Sequence, residues 1–270
     1  MTFQEKLRAA AAQNRSLLCV GLDPDQAQLP ACVRDQDNPT LYFLKHLIDA
    51  TADLVCAYKP NFAFFGALGE AGWPTLKATL EHIPPSIPVL LDAKVGDIGN
   101  TAEQYARMFF EVLGADALTV NPYMGRDAVA PFLAYPDKGV FLLCLTSNKG
   151  AADFEQQELA DGPLYLRVAR KACEWNTAHN CGLVVGATQS AAFAQLRQLA
   201  PDLPFLVPGV GAQGGDLEAV VRHGADAKGG GLLINASRAV LYASAGTDFA
   251  AAGRRAAQQL REQIEACRAA

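Results

Sequence analysis

The sequence contains no run of about 18 apolar residues, so it offers no candidate for a membrane-spanning helix. It also lacks any Cys-x-x-Cys pair. Its seven cysteines, Cys19, Cys32, Cys56, Cys144, Cys173, Cys181 and Cys267, are scattered and odd in number. That pattern reads as small buried residues in a reducing compartment, not as a disulfide framework or a zinc site. The four histidines, His46, His82, His179 and His223, fall on expected helices or helix ends, and none has metal-ligand spacing. Excess positive charge is missing too: the net charge of −5 argues against a general binder of nucleic acid or of an anionic membrane. Residues 1–13 carry Glu5, Lys6 and Arg8 in an alanine-rich amphipathic segment, without the apolar core of a signal peptide. No linker rich in glycine, serine or charge interrupts the chain. The expectation is a cytoplasmic protein with one domain over 1–270 and no membrane or nucleic-acid partner.

What is present is a long apolar rhythm. Half of the 270 residues are hydrophobic, and the length suits a single α/β barrel, which needs about 250. Strand-like runs at 16–23, 55–61, 87–91, 117–123, 139–145, 181–186, 205–210 and 231–235 alternate with helical ones. Eight such repeats predict a parallel (β/α)8 TIM barrel, with an open doubly wound sheet as the second architecture. Against that second fold, no Gly-x-Gly-x-x-Gly lies between the first strand and the following helix.

The stretch Leu91-Asp92-Ala93-Lys94-Val95-Gly96-Asp97-Ile98-Gly99-Asn100-Thr101 organises the reading. Side chains alternate along a strand, so Asp92 and Lys94 project to the same side, about 7 Å apart at the backbone. Asp97 has the wrong parity to join them, and Gly96 and Gly99 mark a loop. Alone, Asp-x-Lys-x-x-Asp is a weak signal. Polar residues, however, recur at the C-terminal ends of the other runs: Asp23, Lys59, Asn121, Thr146 and Ser147. In a barrel these ends share the face where active sites are built. A glycine-rich segment at 207–215 follows the seventh run, and Asn235-Ala236-Ser237-Arg238 follows the eighth. Free amides and a guanidinium after those two strands suit a phosphate.

These segments, together with Tyr58-Lys59-Pro60-Asn61, Asn121-Pro122-Tyr123-Met124-Gly125 and Thr146-Ser147-Asn148, resemble the orotidine 5′-phosphate decarboxylase family, in its longer, bacterial-type subgroup. Val95 stands where that subgroup leads one to expect arginine. The resemblance implies a (β/α)8 barrel that converts orotidine 5′-phosphate to UMP in pyrimidine synthesis without metal or organic cofactor. It implies a homodimer with two shared sites. Lys59, Asp92, Lys94 and Asp97 would form an alternating tetrad, with Lys94 the proton donor to C6. Asp97, Ile98 and Thr101 would reach into the neighbouring subunit's pocket. Asp23 would help hold the ribose, Ser147 would read the pyrimidine, and Gln213 and Arg238 would grip the phosphate. Two other readings compete: a magnesium-dependent barrel enzyme acting on sugar phosphates, and a nucleotide-binding regulator. Lysine at position 59 disfavours a divalent cation, and two buried lysine-aspartate pairs are costly in a mere sensor.

Overall fold

Thr2 and Glu5 start the first helix, Phe3–Asn14, with a reciprocal capping box. The Thr2 hydroxyl accepts the Glu5 N–H at 3.3 Å, and the Glu5 carboxylate accepts the Thr2 N–H at 2.8 Å. The helix buries Phe3, Leu7 and Ala10. Phe3 meets Phe141 edge-on at 5.7 Å. Its ring also lies where a Cβ on Gly139 would sit, 2.5 Å away, so this helix caps the N-terminal end of the strands.

The computed structural model describes residues 1–210 and 216–269. Among them, eight parallel strands form the main sheet: β1 Leu18–Leu22, β2 Ala57–Pro60, β3 Leu90–Val95, β4 Ala117–Val120, β5 Gly139–Leu145, β6 Cys181–Val185, β7 Phe205–Val207 and β8 Leu232–Ala236. Each pairs with its neighbours in sequence, and β1 pairs with β8. The parallel bridges Tyr58↔Val89 and Asn61↔Asp92 join β2 to the β3 segment and complete the ring. The expected TIM barrel is therefore the observed fold, with helices around it.

Two apolar cores follow from the alternation of strand side chains. Inside the barrel, Cys19, Ala57, Leu90, Ala117, Phe141, Val184, Leu206 and Leu233 pack with Phe3 and Leu7. The opposite faces of the same strands, including Leu18, Tyr58, Leu91, Leu118 and Leu142, pack against the helices in a larger second core. Burial pushes the Cys19 thiol up to about 12, which leaves this inward cysteine a neutral packing residue at ordinary pH.

Boundaries moved in several places. Strand β3 starts later than the apolar run 87–91 and continues through Asp92 and Lys94 to Val95. The helix expected at 103–113 begins at Gly99 and ends in a π-helical turn, Met108–Val112. The stretch after β5, expected as a polar loop, holds a 3-10 turn, Lys149–Asp153, and a small hairpin pairing Glu158–Leu159 with Gly162–Pro163. A short helix at Arg238–Leu241, absent from the sequence reading, follows β8.

Candidate active site

One step above the inner core, the barrel interior changes from apolar to polar. Two residues beyond Ala57, Leu90, Ala117 and Leu233 come Lys59, Asp92, Thr119 and Asn235, on the same inward face. Lys59 is 3% exposed and Asp92 8% exposed, so their charges persist only because they are paired. Lys59 Nζ donates to Asp92 Oδ2 at 3.0 Å and stands 3.8 Å from Asp23 Oδ1. Lys94 Nζ donates to the other oxygen, Asp92 Oδ1, at 2.6 Å. Asp92 is thus clasped by an ammonium on each oxygen.

Burial works against both charges of this array. Desolvation alone would raise the Asp92 carboxyl, but Lys59 and Lys94 overrule it and hold the group well below the usual carboxylate range. Desolvation likewise opposes the Lys59 ammonium, and Asp23 and Asp92 outweigh it, pushing Lys59 above the ordinary lysine range. Both groups are ionised at neutral pH. The Lys94 side chain is 46% exposed, so one end of the row is in contact with water.

Two cavities open on either side of the pair and share Lys59, Asp92 and Pro208 in their walls. One, of about 260 Å³, is the more polar of the two and is bordered by Asp23, Asn235, Ser237 and Arg238. Within it the buried Oδ1 atoms of Asp23 and Asn235 have no hydrogen-bond partner among the described residues, as suits acceptors waiting for a ligand's hydroxyl groups. The other, of about 410 Å³, holds Lys94, Ser147 and Thr146 together with Leu143, Val184, Leu206 and Phe154. Its partly apolar wall suits the flat ring of a base. Gly186 is required beside it: a Cβ there would lie 2.6 Å from the Ser147 backbone nitrogen. Among the described residues, no group of three or more His, Cys, Asp or Glu is arranged to hold a metal ion.

The chain that carries this lysine-aspartate row is similar, over its whole length, to known proteins. A family model described as "Orotidine 5'-phosphate decarboxylase / HUMPS family" matches residues 16–255. The chain belongs to that family. It is 56% identical, over 99% of its own length and all of the relative's, to the orotidine 5′-phosphate decarboxylase of Azoarcus sp. (strain BH72). To that of Roseiflexus castenholzii it is 54% identical over 98% of both chains. Among solved structures, the OMP decarboxylase of Leishmania donovani superposes with a TM-score of 0.88, at 44% identity and with full coverage of both chains. With relatives this similar over their whole length, the chain is an enzyme of the family and its barrel is the family's barrel.

Of the family-site positions read from the sequence, the structure brings Asp23, Lys59, Asp92, Lys94, Ser147 and Arg238 around the two joined cavities. Asp97, Ile98 and Thr101 border neither cavity. Asp97 turns back on its own loop, where its carboxylate accepts the Ile98 N–H at 2.8 Å, Ile98 is 55% exposed, and Thr101 is exposed on the first turn of the Gly99–Arg107 helix. Gln213 lies outside the described residues.

Two further polar partners, Thr119 and Glu155, join the site. Thr119 is fully buried on β4 and donates to Asp92 Oδ1 at 3.0 Å. Its signal was its parity with Ala117, masked by the ease with which threonine fits an ordinary strand. Glu155, in the loop after β5, accepts the Thr146 N–H at 2.6 Å and the Thr146 hydroxyl at 2.9 Å, fastening that loop over the strand end. Nothing in its local sequence distinguishes it from a solvated loop acid.

Proposed function

We propose that this protein decarboxylates orotidine 5′-phosphate to UMP with no cofactor, as a cytoplasmic homodimer whose single (β/α)8 domain spans 1–270. The observation that carries the reading is the pair of cavities meeting at Lys59 and Asp92, one polar and ending at Arg238, the other holding Lys94 and Ser147. A nucleoside monophosphate has the same two-part chemistry. Ribose and phosphate occupy the polar side, with Asp23 receiving a ribose hydroxyl and Arg238 and Gln213 gripping the phosphate; the pyrimidine occupies the other side against Ser147.

In this pose the C6 carboxylate of the substrate lies against the row Asp92–Lys94. Asp92 is ionised, so two carboxylates face each other, and that repulsion disappears as CO2 leaves. The C6–carboxylate bond breaks and its electron pair remains on C6. The Lys94 ammonium, held by Asp92, stabilises that carbanion and transfers a proton to C6, forming UMP. Lys94 regains its proton from solvent, which its half-exposed side chain reaches. Lys59 fixes Asp92 from the other side. Phosphate contacts remote from C6 supply binding energy that holds the reacting end in register.

Asp97, Ile98 and Thr101 serve the pocket of a second copy. In support, these three residues border neither cavity of their own chain. Gly96, just before them, lies beside Asn121 and Met124, and Ile98, Tyr123 and Met124 expose 55%, 77% and 46% of their surface. Large apolar side chains left exposed this way suit burial between subunits.

The test is direct. Purified protein is incubated with orotidine 5′-phosphate in excess chelator while the pyrimidine absorbance is followed. Loss of substrate absorbance with formation of UMP is the expected result. An unchanged spectrum removes the activity, and turnover only after magnesium is restored favours the metal-dependent barrel enzyme.

A further inference from the structure

Strand β3 departs from regular pairing where its two charged residues sit. Leu91 pairs with Leu118, and the next registered pair is Val95 with Val120, so four steps on β3 match two on β4. Two extra residues are accommodated by a bulge, a device that re-aims side chains beside active sites. Within it Lys94 has a φ of 48°, the left-handed region that a residue with a Cβ enters only when its surroundings enforce it.

The bulge takes backbone amides out of the ladder, and each needs a new acceptor. Ala93 N–H and Lys94 N–H both donate to the same atom, Thr119 Oγ1, at 3.0 and 2.9 Å. The Thr119 hydroxyl then donates to Asp92 Oδ1 at 3.0 Å, the oxygen that also accepts Lys94 Nζ at 2.6 Å. A hydroxyl has one proton and two acceptor sites, and here all three are used. The result is a closed loop of hydrogen bonds. It runs from the Lys94 backbone through the Thr119 hydroxyl to Asp92 and back through the Lys94 ammonium.

We infer that Thr119 is a positioning residue: its hydroxyl holds the β3 bulge in the form that aims Lys94 and orients Asp92. The inference rests on the decarboxylase reading given above. Thr119 is fully buried beneath the pair and borders neither cavity, so it acts through Lys94 and Asp92 and does not touch substrate. Valine has nearly the same shape but neither accepts nor donates, whereas serine keeps the hydroxyl.

Thr119→Val and Thr119→Ser are compared with wild type for kcat, KM and the affinity for UMP, and the crystal structure of the valine variant is determined. The valine variant should lose about 10- to 100-fold in kcat, the scale of a reacting group misplaced by about an ångström. KM and UMP affinity should stay within about twofold and serine should restore most of kcat, because the binding groups lie on other strands. In the crystal, Lys94 should leave its left-handed conformation or its contact with Asp92. If valine does not yield folded protein, Thr119→Cys, a poor donor and acceptor of similar size, is measured instead with the same expectation. A valine variant with wild-type kcat and an unmoved Lys94 overturns the inference, as does an equal fall in valine and serine variants that tracks their loss of thermal stability. Absence of turnover in the wild type itself counts against the decarboxylase reading. The position of Lys94 in the variant crystal then decides the role of Thr119 separately.

Discussion

Lys94 reaches Asp92, two residues earlier on the same strand, at 2.6 Å, and does so from a left-handed backbone conformation. The contact puts a mobile proton beside a carboxylate fixed from its other side by Lys59. Removing the ammonium in Lys94→Ala leaves the polar cavity and Arg238 intact. Turnover should fall by at least about a hundredfold, as for loss of a general acid, while UMP binding by calorimetry changes little. Near-normal turnover would take Lys94 out of the chemistry.

Lys59 is the more buried of the two lysines and carries a structural duty as well. Lys59→Met leaves Asp92 and Asp23 facing one another with no cation between them. Breaking a buried ion pair from one side costs about 3–5 kcal/mol; Lys94 still pairs with Asp92 and Asp23 is in contact with solvent, which puts this case at the low end, about 3 kcal/mol. Urea unfolding measures it. A loss below about 1 kcal/mol would mean that the aspartates relax into water and that the array is not held by Lys59.

The depressed Asp92 carboxyl makes stability depend on acid in a defined sense. Its contribution is complete above the ordinary carboxylate range of about pH 4. Below that pH the unfolded chain takes up a proton while native Asp92 stays ionised, so stability falls with pH until the depressed native value is crossed. One such proton amounts to about 1.4 kcal/mol per pH unit. Unfolding series between about pH 6 and pH 2.5 should therefore show wild type and Asp92→Asn with the same slope above about pH 4 and, below it, wild type losing stability more steeply by that increment. Parallel curves would show that Asp92 is not depressed in the native protein.

Much of this arrangement is legible without coordinates, for a physical reason. A barrel strand with both faces buried is an apolar run, and a charge at its end is conspicuous; Asp23, Lys59 and Asp92 stand out in this way. The parity argument put Lys94 beside Asp92, and the two do touch, although by a bulge and not by regular alternation. The bulge itself was not readable, because lysine carries no mark of a positive φ as glycine does. Thr119 escaped notice because a buried threonine and a catalytic neighbour look alike in sequence. The hairpin after β5 and the clasp of Glu155 on Thr146 depend on tertiary contact, to which local pattern is blind.

Asp97 lies two residues beyond the end of the β3 bulge and borders neither cavity of its own chain. If it completes the pocket of a second copy, two-fold symmetry makes the exchange reciprocal. Lys94→Ala and Asp97→Ala homodimers would then each be inactive, while a mixed dimer assembles one pocket with both lesions and one with neither. The decisive measurement is activity after the two inactive variants are mixed and allowed to exchange subunits, with heterodimers counted by native mass spectrometry. Activity should return to about half the native value per heterodimer, one site of two being intact. Heterodimers that form and remain inactive would contradict a site shared between chains and return Asp97 to its own subunit.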